Sequence, residues 1–347
     1  MTIKLQSSVE KRSHKNCITS VAVHSEVIAT GGKDSTVELD QLSQTGLKTI
    51  KRYNLIENNI VKCNATSVDI TQGTVICGTN VGLVNIIDTR EDKINEFPAH
   101  KDQISYVKYL TDNVLVSAGF DRKVRVWDTR NLEIPIHDLV GHTASVNYID
   151  TLPFIQEEDE YSVSFGDNYE RILTSASDRT ARLWNVNRGT HLAFQVPIEL
   201  SQNVESCVVM QKTPHYVFAV GLDSEYLLVY SIKFKLHIGS LSIGKGVCIN
   251  CIRKFDDLLI VGTSAGKLHF VECSFSKDYS KCEMTIVSTF DFKGSVNDLK
   301  ITETPDGIVL YSAIGTELRL GRWLNISLDG GIKPKNLLNV STFQIDT

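Results

Sequence analysis

No stretch of this sequence is apolar for the roughly 20 residues that a membrane-spanning helix requires. The opening residues, Met1-Thr2-Ile3-Lys4-Leu5-Gln6-Ser7-Ser8, lack the apolar core of a secretory signal. The expectation is a cytosolic or nuclear protein without a membrane partner, whose 8 cysteines stay thiols. Basic excess is also missing, with 36 Lys and Arg against 41 Asp and Glu and a formal net charge of −5. Bulk charge therefore does not announce a nucleic-acid partner, which would need a local basic patch. The 9 histidines form no HExxH-type cluster, and Cys248-Ile249-Asn250-Cys251 has no second CxxC pair. On a strand those two cysteines would point to opposite faces, so they read as core residues and not as metal ligands. Gly239-Ser240-Leu241-Ser242-Ile243-Gly244-Lys245-Gly246 approaches a phosphate-binding loop, but Gly246 stands where the Mg²⁺-binding Ser or Thr belongs. Strand-like sequence follows it in place of the required helix, so no nucleotide cofactor or small-molecule substrate is expected there. A sustained 3.6-residue apolar period is absent as well; short runs of Val, Ile and Leu broken by Gly, Asp, Asn and Ser make the pattern all-β.

What is present is repetition. Phe120-Asp121-Arg122-Lys123-Val124-Arg125-Val126-Trp127-Asp128 returns as Ser177-Asp178-Arg179-Thr180-Ala181-Arg182-Leu183-Trp184-Asn185. Each follows a β-like run, Val114–Ser117 or Ile172–Ser175, and each run follows a loop histidine, His100 or His142. His…Asp…Trp-Asp at this spacing resembles the WD40 repeat, whose fold is a closed β-propeller. Seven units can be counted, with cores at about 14–40, 64–88, 100–128, 142–185, 204–231, 247–272 and 294–324. They predict one seven-bladed WD40 propeller over 1–347, the last unit taking Leu318–Trp323 as its third strand. Closing the ring calls for a strand from a chain terminus, 3–8 or 335–344. The N-terminal segment is the better candidate, because a blade's outer strand normally precedes the next histidine loop.

In the two clear repeats His100, Ser117, Asp121 and Trp127 form one candidate hydrogen-bonded set, and His142, Thr174, Asp178 and Trp184 its copy. An Asp beside a His and a hydroxyl superficially resembles a catalytic triad. Because the set occurs twice, a structural brace explains it better, and no enzyme is expected. Basic residues cluster at Lys11, Arg12 and Lys15, at Lys48, Lys51 and Arg52, at the turn positions Arg122 and Arg179, and at Lys333 and Lys335. Convergence of several on one rim would make a phosphate-contacting stripe. The acidic run from Gln156 to Ser164 reads as a solvated loop.

Gly315-Thr316-Glu317-Leu318-Arg319-Leu320-Gly321-Arg322-Trp323 is more specific. It resembles the C-terminal signature of the WD-repeat protein family associated with the U3 small nucleolar ribonucleoprotein, the 55-kDa type. Gly294–Lys300, Asp178–Trp184 and Thr190–Phe194 are similar to other segments of that family, whereas Leu318 stands where the family has a histidine. The resemblance implies a non-enzymatic scaffold in the nucleus and nucleolus that binds the box B/C element of U3 small nucleolar RNA. It implies as partners a kink-turn-binding protein, other box C/D ribonucleoprotein core proteins and small-subunit processome proteins, in ribosomal RNA processing. Arg122, Arg179, Arg319, Arg322, Lys333 and Lys335 are the candidate RNA or partner contacts, with no cofactor and no metal. A rival reading is a substrate-receptor adaptor of a cullin-type ubiquitin ligase, on the short WDxR pattern of Trp127-Asp128-Thr129-Arg130.

Overall fold

The computed structural model describes residues 2–43, 46–57, 61–152, 171–212, 215–305, 307–321 and 333–346. Seven four-stranded antiparallel sheets form the blades of a β-propeller. Blade one holds Ile18–His24, Val27–Gly32, Thr36–Ser43 and Gly46–Asn54; blade two holds Ala65–Thr71, Thr74–Thr79, Leu83–Asp88 and Lys93–Pro98. Blade three holds Ile104–Thr111, Val114–Gly119, Lys123–Asp128 and His137–Val140; blade four holds Val146–Leu152, Arg171–Ala176, Thr180–Asn185 and Thr190–Gln195. Blade five begins at Val204–Lys212 and ends with Leu236–Gly244, and blade six runs from Ile249–Phe255 to Cys282–Asp291. The segment that approached a phosphate-binding loop is thus the end of blade five's outer strand and the turn after it.

Blade seven corrects one reading of the sequence, the identity of its third strand. Its first two strands are Ser295–Thr304 and Gly307–Gly315, but its third is Leu337–Asp346. Leu318–Leu320 belong to the connection before that strand, and Gly321 adopts a left-handed φ of 69° that ends a turn. Both terminal segments therefore enter this blade. Thr2–Lys11 takes the outer place by pairing along Leu337–Asp346, as Val9 with Val340 and Ile3 with Ile345, which closes the ring.

A shared irregularity positions the blades. In every blade the pairing of the first two strands slips near the start of the inner strand, between Ile18 and Ser20 in blade one and at the equivalent residues of the other six. The bulged residue is polar each time: Thr19, Thr66, Ser105, Asn147, Glu205, Asn250 and Asn297. A bulge re-aims its side chain. Here the result is bonding from blade to blade: Thr19 to the carbonyl of Ala65 at 2.9 Å, Asn147 to Val204 at 2.8 Å, Asn250 to Val296 at 2.9 Å and Asn297 to Ile18 at 2.7 Å. Aliphatic side chains fill the space between sheets, with Val116, Ile149, Leu173 and Phe218 fully buried in the largest cluster.

Candidate nucleic-acid interface

Strands alternate in direction within a blade. The turns between second and third strands therefore share one face with the connections that lead to the next blade. The loop histidines, the turn aspartates and most candidate cations of the sequence lie on this face.

The braces hold its loops. His100 lies 2.8 Å from both Asp121 and Ser117, and Trp127 Nε1–H donates to Ser117 at 3.0 Å. In blade four His142 lies 2.8 Å from Asp178 and from Thr174, and Trp184 Nε1–H donates to Thr174 at 2.9 Å. Burial pushes the His142 imidazole below its usual value, more than Asp178 pulls it up. A neutral ring fits the contacts: Nδ1–H donates to the carboxylate and Nε2 accepts from the hydroxyl. Burial alone would raise the Asp121 and Asp178 carboxyls, but hydrogen bonds from the histidines and their neighbours outweigh it and hold both well below the carboxylate range. Asp121 and Asp178 also accept from the backbone N–H of Lys101 and Thr143, so each fixes the start of a loop. Ser117 and Thr174 are fully buried, which leaves no hydroxyl for a substrate to reach.

Arg122 and Arg179 are exposed on this face at left-handed turn positions, with φ of 71° and 64°. The equivalent residues of blades one, two, five and six, Ser35, Gly82, Glu225 and Gly266, share that conformation. Arg179 donates to Ser201 at 3.0 Å. Lys333 and Lys335 are exposed on the connection before the third strand of blade seven, and the Lys335 N–H donates to Lys293 O at 2.6 Å. Arg322 lies outside the described residues, as does the acidic run from 156 to 164.

Arg319 is not with the surface cations. It is buried, 6% exposed, and crosses to the opposite side of the ring. Its guanidinium donates to the carbonyls of Ser105 in blade three and Asn147 in blade four, the latter at 2.9 Å. It also lies 5.5 and 5.7 Å from the ring centres of Tyr106 and Tyr148. The segment is moored behind it by Asn297, which donates to Glu317 O at 2.8 Å, and by Lys33, which donates to Leu318 O and pairs with Glu317 at 2.9 Å. Arg319 thus anchors a segment of blade seven across the ring and, unlike the other described candidate contacts, is buried. Its partners are backbone carbonyls more than 170 residues away, which no local pattern reveals.

At the inner strands lies a cavity of about 330 Å³ lined in part by Tyr106, Lys108, Tyr148, Asp150, Arg253 and Lys300. Its half-buried charges meet in pairs: Lys108 with Asp150 at 3.0 Å, Arg253 with Asp298 at 2.7 Å and Lys300 with Asp69 at 3.4 Å. Each aspartate uses its other oxygen on a backbone N–H of a neighbouring blade, Val209, Val21 and Tyr109 respectively. These charges are spent on holding the ring together.

The model of the WD domain, G-beta repeat, matches residues 91–128 and 133–185, the two clear repeats. Among solved structures, the RRP9 WD40 repeats superpose with a TM-score of 0.79 at 16% identity, over 99% of this chain and 100% of that one. U3-55K superposes with a TM-score of 0.74 at 17% identity, over 98% of each chain. Among curated proteins, the ribosome biogenesis protein YTM1 of Kluyveromyces lactis is 27% identical over 141 residues. That match takes in 41% of this chain and 31% of the length of YTM1. The chain thus carries two WD40 repeats, at residues 91–128 and 133–185, within a seven-bladed β-propeller.

Proposed function

We propose that this chain is a non-enzymatic WD40 scaffold of ribosome biogenesis that binds U3 small nucleolar RNA at its box B/C element. The kink-turn-binding protein, the other box C/D core proteins and the small-subunit processome are its partners, and the nucleolus its place of action. The observation that carries the reading is the Glu317-Leu318-Arg319-Leu320-Gly321 segment. Its sequence resembles the family signature, and it is moored across the ring on a propeller that superposes along nearly its whole length with RRP9 and U3-55K. Match to the ribosome biogenesis protein YTM1 supports the same process. A rigid face carrying Arg122, Arg179, Lys333 and Lys335 suits structured RNA, which is read largely through shape and backbone.

With a net charge of −5, long-range attraction to RNA is weak, so affinity rests on a few placed cations and on partner protein. Isolated protein is expected to bind box B/C RNA weakly, and a preassembled complex of that RNA with the kink-turn protein at least tenfold more tightly. Titration with each, and with unrelated hairpins, tests this. Equal affinity for all three contradicts specific recognition. In the rival adaptor reading, Arg130 of the WDxR pattern is exposed and folded back on Asp128, with bonds of 2.8 and 2.6 Å.

A further inference from the structure

The chain's two ends meet at the seam between blade seven and blade one, and a hollow of about 400 Å³ opens there. It is lined by Arg12, Ser13, His14, Lys15, Arg52 and Asn336, with no carboxylate among them. On a chain with five more acidic than basic side chains, that is a local inversion of charge. The nearby acids are already taken. Glu38 and Asp40 are fully buried and hold Lys11 and Arg52 from behind, while Asp34 holds His14 at 2.9 Å and the Lys15 N–H at 2.8 Å.

The backbone around the hollow is tied by hydrogen bonds and the side chains at its mouth are available. Arg52 donates to Ser13 O at 2.5 Å, Cys17 N–H donates to Asn16 Oδ1 at 2.7 Å, and Asn336 accepts the Thr316 N–H at 2.9 Å. Arg12 and Lys15 are exposed, and their side chains make no hydrogen bond or ion pair among the described residues. Exposed Lys335 adjoins Asn336 on the rim. Available cations around a concave, carboxylate-free site match a phosphate group, which accepts several donors at once.

We infer that this seam hollow is a phosphodiester-binding site, with Arg12 and Lys15 as its contacts and Asn336 as a neutral donor. This rests on the RNA-binding reading and assigns part of the RNA backbone to the seam where the chain closes on blade one.

The test compares wild type with the double charge reversal Arg12→Glu/Lys15→Glu. A second double variant, Lys233→Glu/Lys235→Glu, changes two lysines of the opposite face by the same charge. Each is titrated with the complex of box B/C RNA and kink-turn protein at several salt concentrations, with thermal midpoint as the fold control. The expected result is a loss of tenfold or more in affinity for Arg12→Glu/Lys15→Glu, with a log–log salt slope shallower by about 2, and little change for the other pair. Neutral Arg12→Gln/Lys15→Gln should fall between. Unchanged affinity and slope in the seam variant, with wild type binding specifically, overturns the seam site and leaves the RNA-binding reading standing. Failure of wild type to prefer the RNA complex overturns both. Competition by a phosphopeptide but not by RNA for the seam also overturns it, since the site would then be a protein contact.

Discussion

In blade four Trp184 lies across the sheet from Ile172 and turns its indole N–H onto Thr174; in blade one the residue across from Ile28 is Asp40. Blade one keeps the rest of the brace, with His14 bonded to Asp34 at 2.9 Å and to Thr30 at 3.0 Å. Where the indole would pack, buried Asp40 and Glu38 instead receive Lys11, the last residue of the closing strand. Blades five and six show a third solution, with Tyr230 stacked at 5.2 Å on Phe218 in one and aliphatic Val271 opposite Leu259 in the other. The comparison teaches that the tryptophan position is a packing site that each blade fills for its own needs. In blade one that need is fastening the ring, so a charged latch replaces an apolar wedge.

Breaking the wedge should have the largest effect. Trp184→Ala and Trp127→Ala each remove a large buried side chain and an indole bond, and should cost about 3–5 kcal/mol in denaturant unfolding. Unchanged midpoints in both would contradict the brace assignment. Breaking the latch comes next. Lys11→Met strands buried Asp40, whereas Glu38 keeps Arg52, and should cost about 3 kcal/mol. Adding Asp40→Leu should recover part of that loss, because the stranded charge is gone; a double variant no better than the single would refute the latch.

Acid separates the two solutions more gently. His142 has a lowered pKa in the fold, so its stabilising contribution is complete above about pH 6.5 and is lost as pH falls through the folded value. The brace aspartates Asp34, Asp121 and Asp178 also have lowered values, so theirs is present above about pH 4 and lost in stronger acid. His142→Gln should therefore lose less stability than wild type between pH 6.5 and 5. Denaturant midpoints across that range check it, and parallel curves would speak against a neutral buried His142.

The smallest effect concerns the turns. Arg122→Gly and Arg179→Gly relieve a left-handed conformation and should stabilise by up to about 1 kcal/mol each. On the proposed reading they should weaken RNA binding at the same time. Stabilisation without any loss of binding would make these arginines turn residues only.

The contrast between blades also explains what could be read from sequence. Blades three and four are written in polar residues with fixed partners, so His100, Asp121 and Trp127 announce both strand and loop. Blade one hides its brace, because Asp40 has no resemblance to the tryptophan it replaces and its partner Lys11 is 29 residues away. Blade seven misleads, since Leu318-Arg319-Leu320 imitates a third strand whereas Leu337–Asp346 fills that place after the long connection. An arginine spent on the carbonyls of Ser105 and Asn147 looks, in sequence, like one offered to RNA. The polar bulge of every inner strand is legible only afterwards, because Thr, Ser, Asn and Glu share no single letter to mark it.

The most direct test of the account is to crosslink the protein to RNA in living cells and sequence what is recovered. The account predicts enrichment of U3 small nucleolar RNA, with crosslinks concentrated at box B/C and depleted in the Arg12→Glu/Lys15→Glu variant. Recovery without U3 enrichment, from a chain that is folded and expressed, would contradict it.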